Sequence, residues 1–198
     1  MSTDSQPRFR VVGSDPAPPG RLLRPIVLVG LMGAGKTAVG RRLAAALGVA
    51  FADADEAIVE AAGMSIPDIF EVYGETAFRD LERRVVVRLL DEATGVLALG
   101  GGAFIDPQTR AAVGERGISI WLKAELETLV ARVTRKRAVR PLLMQGEPRT
   151  ILAGLMERRY PIYAEADFTV LTGDQPLDEV VDRLTELLQR EGLIRDVA

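Results

Sequence analysis

Five short, nearly unbroken apolar runs punctuate the chain, at residues 26–29, 49–52, 96–99, 118–122 and 168–171. Runs that stay apolar from one position to the next, instead of alternating, predict strands covered on both faces, as in a parallel sheet. Between them the period changes to that of a helix. Residues 38–48 place Val39, Leu43 and Leu47 on one stripe and close on Gly48, and a longer stretch from Gly74 to about Leu90 carries Phe78, Leu81, Val85 and Leu89. Shorter helical patterns cover 56–62, a turn or two from Ser65, 125–133 and 149–159, with an amphipathic helix over 177–191 at the end. Asp106-Pro107 reads as a cap followed by proline at the first helical position. Strands alternating with helices predict an α/β fold, a three-layer α/β/α arrangement with a five-stranded parallel sheet and right-handed crossovers. Residues 25–198 read as one domain. Residues 1–24, rich in proline and glycine, read as a flexible tail, and residues 135–148, basic and broken by proline, as a mobile loop.

Functional loops of such a sheet gather at the C-terminal ends of the strands. The first of these is Gly30-Leu-Met-Gly-Ala-Gly-Lys-Thr37, which fits G-x-x-x-x-G-K-[S/T] at every fixed position and stands between a predicted strand and a predicted helix. Glycines there let backbone N–H groups close on phosphate oxygens, and the helix N-terminus adds donors and a positive dipole end. Lys36 supplies a mobile cation for the β- and γ-phosphates, and the Thr37 hydroxyl can hold Mg²⁺. Gly33, Ala34, Gly35 and Ala38 complete the predicted nucleotide-binding loop.

Composition narrows the chemistry. The chain has 198 residues, 47% of them hydrophobic and 27% charged, as in a soluble globular domain, and its net charge of −3 gives no reason to expect nucleic acid or an anionic membrane as partner. It contains neither Cys nor His, which removes disulfides, thiolate and imidazole metal ligands, cysteine nucleophiles and Ser-His-Asp chemistry. A general base is then a carboxylate, a lysine or a tyrosine. No asparagine occurs, so the Asn-Lys-x-Asp guanine motif of GTP switch proteins is absent.

Three further groups fall near the predicted cleft. Asp53 and Asp55 follow the second strand on one face, where spacing alone leaves open a helix cap or a pair of carboxylates turned on the phosphates. Arg79 and Glu82, three apart on the long helix, favour on spacing alone an exposed ion pair worth only about 0.2–0.5 kcal/mol. Gly100-Gly101-Gly102 closes a buried strand at a high entropic cost, which suggests close approach by a ligand. Arg140, in the basic loop, stands where a lid could bring a guanidinium to a transferring phosphoryl group.

In this order, the glycine loop, Asp53-x-Asp55, Phe78-Arg79-x-x-Glu82, Gly100-Gly101-Gly102, Arg140-Pro-Leu-Leu and Arg159-x-Pro-x-Tyr163 resemble the shikimate kinase family, from about Arg24 to the last helix. The resemblance implies a P-loop kinase fold with a mobile lid over about 135–148, and transfer of the ATP γ-phosphate to the 3-hydroxyl of shikimate. It implies that Asp55 contacts the reacting hydroxyl, that Arg79 and Arg159 bind the shikimate carboxylate, and that Gly101 offers its backbone N–H, with Gly100 and Gly102 in support. Glu82 would orient the arginine, Arg140 would fold over the phosphates, and Asp53 would hold one Mg²⁺ ion beside Thr37. ATP and shikimate are the implied partners of a cytoplasmic monomer, with no nucleic acid and no membrane. The chain departs from the family in having Ala98 and Leu99, without a hydroxyl, before the triple glycine. Whether Arg132 or Arg135 meets adenine is left open, and Gln175, in a second nucleotide loop over 173–176, is a weak candidate.

Overall fold

The computed structural model describes residues 22–92, 95–135 and 146–194. Five parallel strands, β1 (Ile26–Val29), β2 (Phe51–Asp53), β3 (Val96–Ala98), β4 (Ile118–Ala124) and β5 (Phe168–Thr172), form one sheet in the order β2-β3-β1-β4-β5. The central strand β1 is buried along its whole length, in register Val27 to Leu97 on one side and Val27 to Ser119 on the other. At the β5 edge Thr169 and Leu171 are exposed, and β2 at the other edge is half-buried. Full coverage of the middle strands explains why their sequences are apolar at successive positions.

Helices α1 (Lys36–Leu47), α2 (Ala54–Ala62), α3 (Ile66–Glu92), α4 (Pro107–Arg116), α5 (Leu126–Arg135), α6 (Pro148–Tyr163) and α7 (Leu177–Arg190) flank this sheet, which gives the three-layer fold expected. α1 packs with α7, α2 with α3, α3 with α4, and α5 with α6. α3 joins the two helices expected around Gly74, whose φ of 79° and ψ of 173° break it into two arms. Among the described residues no helix is long and apolar enough to cross a membrane.

The differences from expectation lie at element ends. β2 begins two residues later than residue 49, and Asp53 both ends it and caps α2, which therefore starts at Ala54. α6 runs past residue 159 and through Pro161 to Tyr163. Proline removes one helical N–H, but buried Tyr163 anchors the last turn, and the Ala164 N–H still bonds the Tyr160 carbonyl at 3.0 Å. Two residues assigned to the mobile loop are helical, since Arg135 ends α5 and Pro148 opens α6 beneath a Glu147 cap. Residues 22–24, assigned to the tail, belong to the fold: Leu22 bridges Ile194, and the Arg24 guanidinium bonds the Gly114 carbonyl at 2.7 Å.

Candidate active site

The phosphate loop leaves the end of β1 and enters α1 through glycines in left-handed conformations, Gly33 at φ 85° and Gly35 at φ 96°. Such angles strain any residue with a Cβ, which is why the motif needs glycine there. Gly35 stands at the cap of α1 with no side chain to satisfy the first helical amides, so these donors remain for an anion. Lys36 curls back over its own loop, its Nζ donating to the Gly30 carbonyl at 2.7 Å and the Leu31 carbonyl at 3.1 Å. Ala34 is buried, and Ala38 is exposed on the first turn of α1.

The end of β2 lies beside this loop. The Thr37 hydroxyl donates to Asp53 Oδ2 at 2.7 Å, while Asp53 Oδ1 accepts from the Asp55 N–H at 3.0 Å. One carboxylate thus does both jobs that its spacing left open, capping α2 and holding the hydroxyl of the phosphate loop. The hydroxyl spends its proton on Asp53 and keeps oxygen lone pairs for a cation. An alcohol oxygen backed by a carboxylate is a hard donor set of the kind that suits Mg²⁺, which takes few protein ligands and completes its shell with water and substrate phosphate.

Asp55 and the α3 pair converge on the triple glycine. A Cβ on Gly100 would stand 2.6 Å from Asp55 Oδ1 and 3.0 Å from Glu82 Oε1, and one on Gly102 would stand 2.6 Å from Arg79 Nη1. The protein's own functional side chains thus require glycine at positions 100 and 102. Glu82 is only 3% exposed, and its Oε2 accepts from Arg79 Nη1 at 2.7 Å. This overturns the exposed ion pair that the three-residue spacing favours. Burial raises the Glu82 carboxyl above its ordinary value, with the Arg79 charge pulling the other way. Burial works against the Arg79 charge, yet Glu82 and then Glu75 outweigh it and the guanidinium is held above its ordinary value. Its Cζ also lies 5.0 Å from the Phe78 ring centroid, a stacking that Lys would reproduce poorly.

α6 closes the opposite wall. Arg159 Nη1 donates to the Gly101 carbonyl at 2.7 Å, and the Tyr163 hydroxyl donates to the same oxygen. Burial pushes the Tyr163 phenol up to about 12, so it remains a neutral donor at physiological pH. The cleft thus has phosphate-loop amides and Lys36 on one side and two arginines, a carboxylate and a glycine backbone on the other. A position 101 Cβ would lie 3.5 Å from Met32 N and 3.9 Å from Arg159 Nη1, which shows how closely the two halves meet.

This arrangement agrees with what comparison with known proteins finds. The family pattern described as "Shikimate kinase" matches residues 32–189. A shikimate kinase of Paramagnetospirillum magneticum is 56% identical over 167 residues, covering 84% of this chain and 85% of that protein. The chain belongs to the shikimate kinase family. Another shikimate kinase, from Rhodopseudomonas palustris, is 52% identical over 83% of this chain and 81% of its own length. The structure of the Acinetobacter baumannii shikimate kinase in complex with shikimate superposes with a TM-score of 0.82 at 38% identity, covering 86% of this chain and 96% of that one. The Aquifex aeolicus shikimate kinase gives 0.71 at 33% identity over 85% and 98%. Members of the family are ATP-dependent kinases acting on shikimate.

Arg132 is a site residue that reading the sequence did not assign. From α5 its Nη1 donates to the carbonyls of Gly33 at 3.2 Å and Ala34 at 3.3 Å, and its Nη2 to that of Gly173. It ties the outer side of the phosphate loop to the loop after β5, where the Thr172 hydroxyl also reaches the Ala34 carbonyl at 3.3 Å. In the sequence it stands only as one of two arginines, with Arg135, that could meet adenine. Gln175 Nε2 bonds the Leu171 carbonyl at 3.1 Å, and its Oε1 would lie 2.9 Å from a Cβ on Gly173. Ala98 and Leu99 are both buried, so no hydroxyl from that strand end reaches the cleft. Arg140 lies outside the described residues.

Proposed function

We propose that this cleft transfers the γ-phosphoryl group of ATP to the 3-hydroxyl of shikimate, with Asp55 accepting the proton of that hydroxyl as its oxygen attacks. The observation that carries the reading is the meeting of Asp55, Arg79 and Glu82 around Gly100 and Gly102, directly beside the Thr37–Asp53 pair. Gly33, Ala34, Gly35, Lys36, Thr37 and Ala38 hold the triphosphate, and Arg140 joins them from the lid. Arg79 and Arg159 take the shikimate carboxylate, Glu82 aims Arg79, and Gly101 offers its N–H between Gly100 and Gly102. Phosphoryl transfer asks little covalent help of a protein and gains most from positioning and charge, which is what these residues supply. Thr37 and Asp53 are the residues that would hold a single Mg²⁺, which when bound neutralises phosphate charge. The reading has the enzyme meet both small substrates in the cytoplasm, as a monomer. A coupled ADP-release assay with shikimate, quinate, gluconate and nucleoside monophosphates tests it: turnover is expected with shikimate, and a preference for any of the others would overturn the substrate assignment.

Arg79→Lys tests the carboxylate site. Arg79 already gives Nη1 to Glu82 and Nη2 to Glu75, at 2.7 and 3.3 Å, and its fork leaves further donors for a substrate. Lysine offers a single point charge that must choose between Glu82 and the ligand. The expected loss in shikimate affinity is ~1.5–3 kcal/mol, the worth of a charged hydrogen bond. Unchanged affinity by titration calorimetry would show that Arg79 does not hold the carboxylate.

A further inference from the structure

The proposed roles leave Tyr163 without one, although it is fully buried and its hydroxyl ends at the floor of the cleft. Its acceptor is the Gly101 carbonyl, the oxygen that Arg159 Nη1 holds at 2.7 Å. Arg159 and Tyr163 stand four residues apart on α6 and so reach from one face of the helix to one point. The Tyr163 ring is fixed by Phe104, with centroids 6.5 Å apart, and by Trp121, at 6.0 Å.

The acceptor matters because of where it is. A run of three glycines has no Cβ to restrict it, and its peptide planes turn easily, which is a poor basis for a binding surface. A carbonyl gripped by two donors cannot turn. Since C=O and N–H point opposite ways across a trans peptide, holding the Gly101 oxygen also sets the direction of the Gly102 N–H. The same contact orients Arg159, whose guanidinium also bonds the Tyr163 hydroxyl and keeps further N–H donors for a ligand. We propose that Tyr163 is a positioning residue for shikimate: its hydroxyl shares the Gly101 carbonyl with Arg159, locks the middle of the triple glycine, and squares the Arg159 guanidinium to the substrate carboxylate. The proposal rests on the reading of Arg159 as a carboxylate ligand.

Tyr163→Phe removes one oxygen and leaves the Gly101 carbonyl its bond from Arg159, so the variant folds, which a thermal unfolding curve checks. Its shikimate KM is expected to rise about three- to tenfold, the size of one net hydrogen bond, with kcat and the ATP KM within about twofold. In an Arg159→Ala background the same change is expected to raise the KM by a smaller factor, because the part of its effect that runs through Arg159 is gone. If Tyr163→Phe leaves the shikimate KM unchanged while Arg159→Ala raises it, the positioning role is wrong and the carboxylate site stands. An undiminished rise in the Arg159→Ala background would reduce Tyr163 to packing and overturn the proposal. No rise from Arg159→Ala would remove the reading beneath it.

Discussion

Lys36→Ala is expected to abolish useful turnover, lowering kcat by at least about 10²–10³-fold, the range seen when one charge-stabilising donor is lost from an active site. Lys36 Nζ sits on the carbonyls of Gly30 and Leu31, inside the curve of the phosphate loop, so it is already at the mouth of the pocket and can exchange these carbonyls for phosphate oxygens. The Gly35 cap and the Val39-to-Gly35 bond at 2.9 Å hold the start of α1 without help from the lysine side chain. Stability should therefore change little, and a thermal unfolding curve run beside the kinetics separates a lost charge from a lost fold. A near-normal kcat would remove Lys36 from the machinery.

How much of this site the amino-acid sequence discloses depends on how local each cause is. The phosphate loop is legible because strand, glycines, lysine and helix follow one another within about a dozen residues, and every requirement is met inside that window. The sheet is legible for a similar reason: burial of β1, β3 and all of β4 but Lys123 forces apolar runs that no surface element would carry. Glu82 marks the limit. Its three-residue distance from Arg79 is the same whether the pair faces water or the interior, and only the packing of α3 against the glycines decides that it is 3% exposed. Asp53 shows a second limit, because cap and metal-side ligand are not exclusive; one oxygen takes the Asp55 amide and the other the Thr37 hydroxyl. Arg132 was the least legible, since both ends of its contacts, the phosphate loop and Gly173, are brought together only by the fold. At the triple glycine the need for space is legible, but not that Asp55 and Glu82 take it at Gly100 and Arg79 at Gly102.

Asp55→Asn is expected to cut kcat by about 10²–10⁴-fold, the usual worth of general-base help, while leaving ATP affinity nearly unchanged. The two aspartates stand two residues apart, yet the structure divides their work. Asp53 faces the phosphate loop through Thr37 at 2.7 Å, whereas Asp55 lies against Gly100, next to Glu82 and on the arginine side of the cleft. Asparagine keeps the shape and the N-terminal position on α2, so the helix and the Asp53 contact to its backbone N–H at 3.0 Å survive. What is lost is the negative charge and the ability to take a proton, and with no histidine in the chain there is no imidazole to replace it. The loss should then fall on the step in which the hydroxyl oxygen attacks, and steady-state kinetics together with ATP binding by calorimetry would show it. A variant that turned over normally when saturated but bound ATP poorly would place Asp55 with the nucleotide, and the proton would need another acceptor.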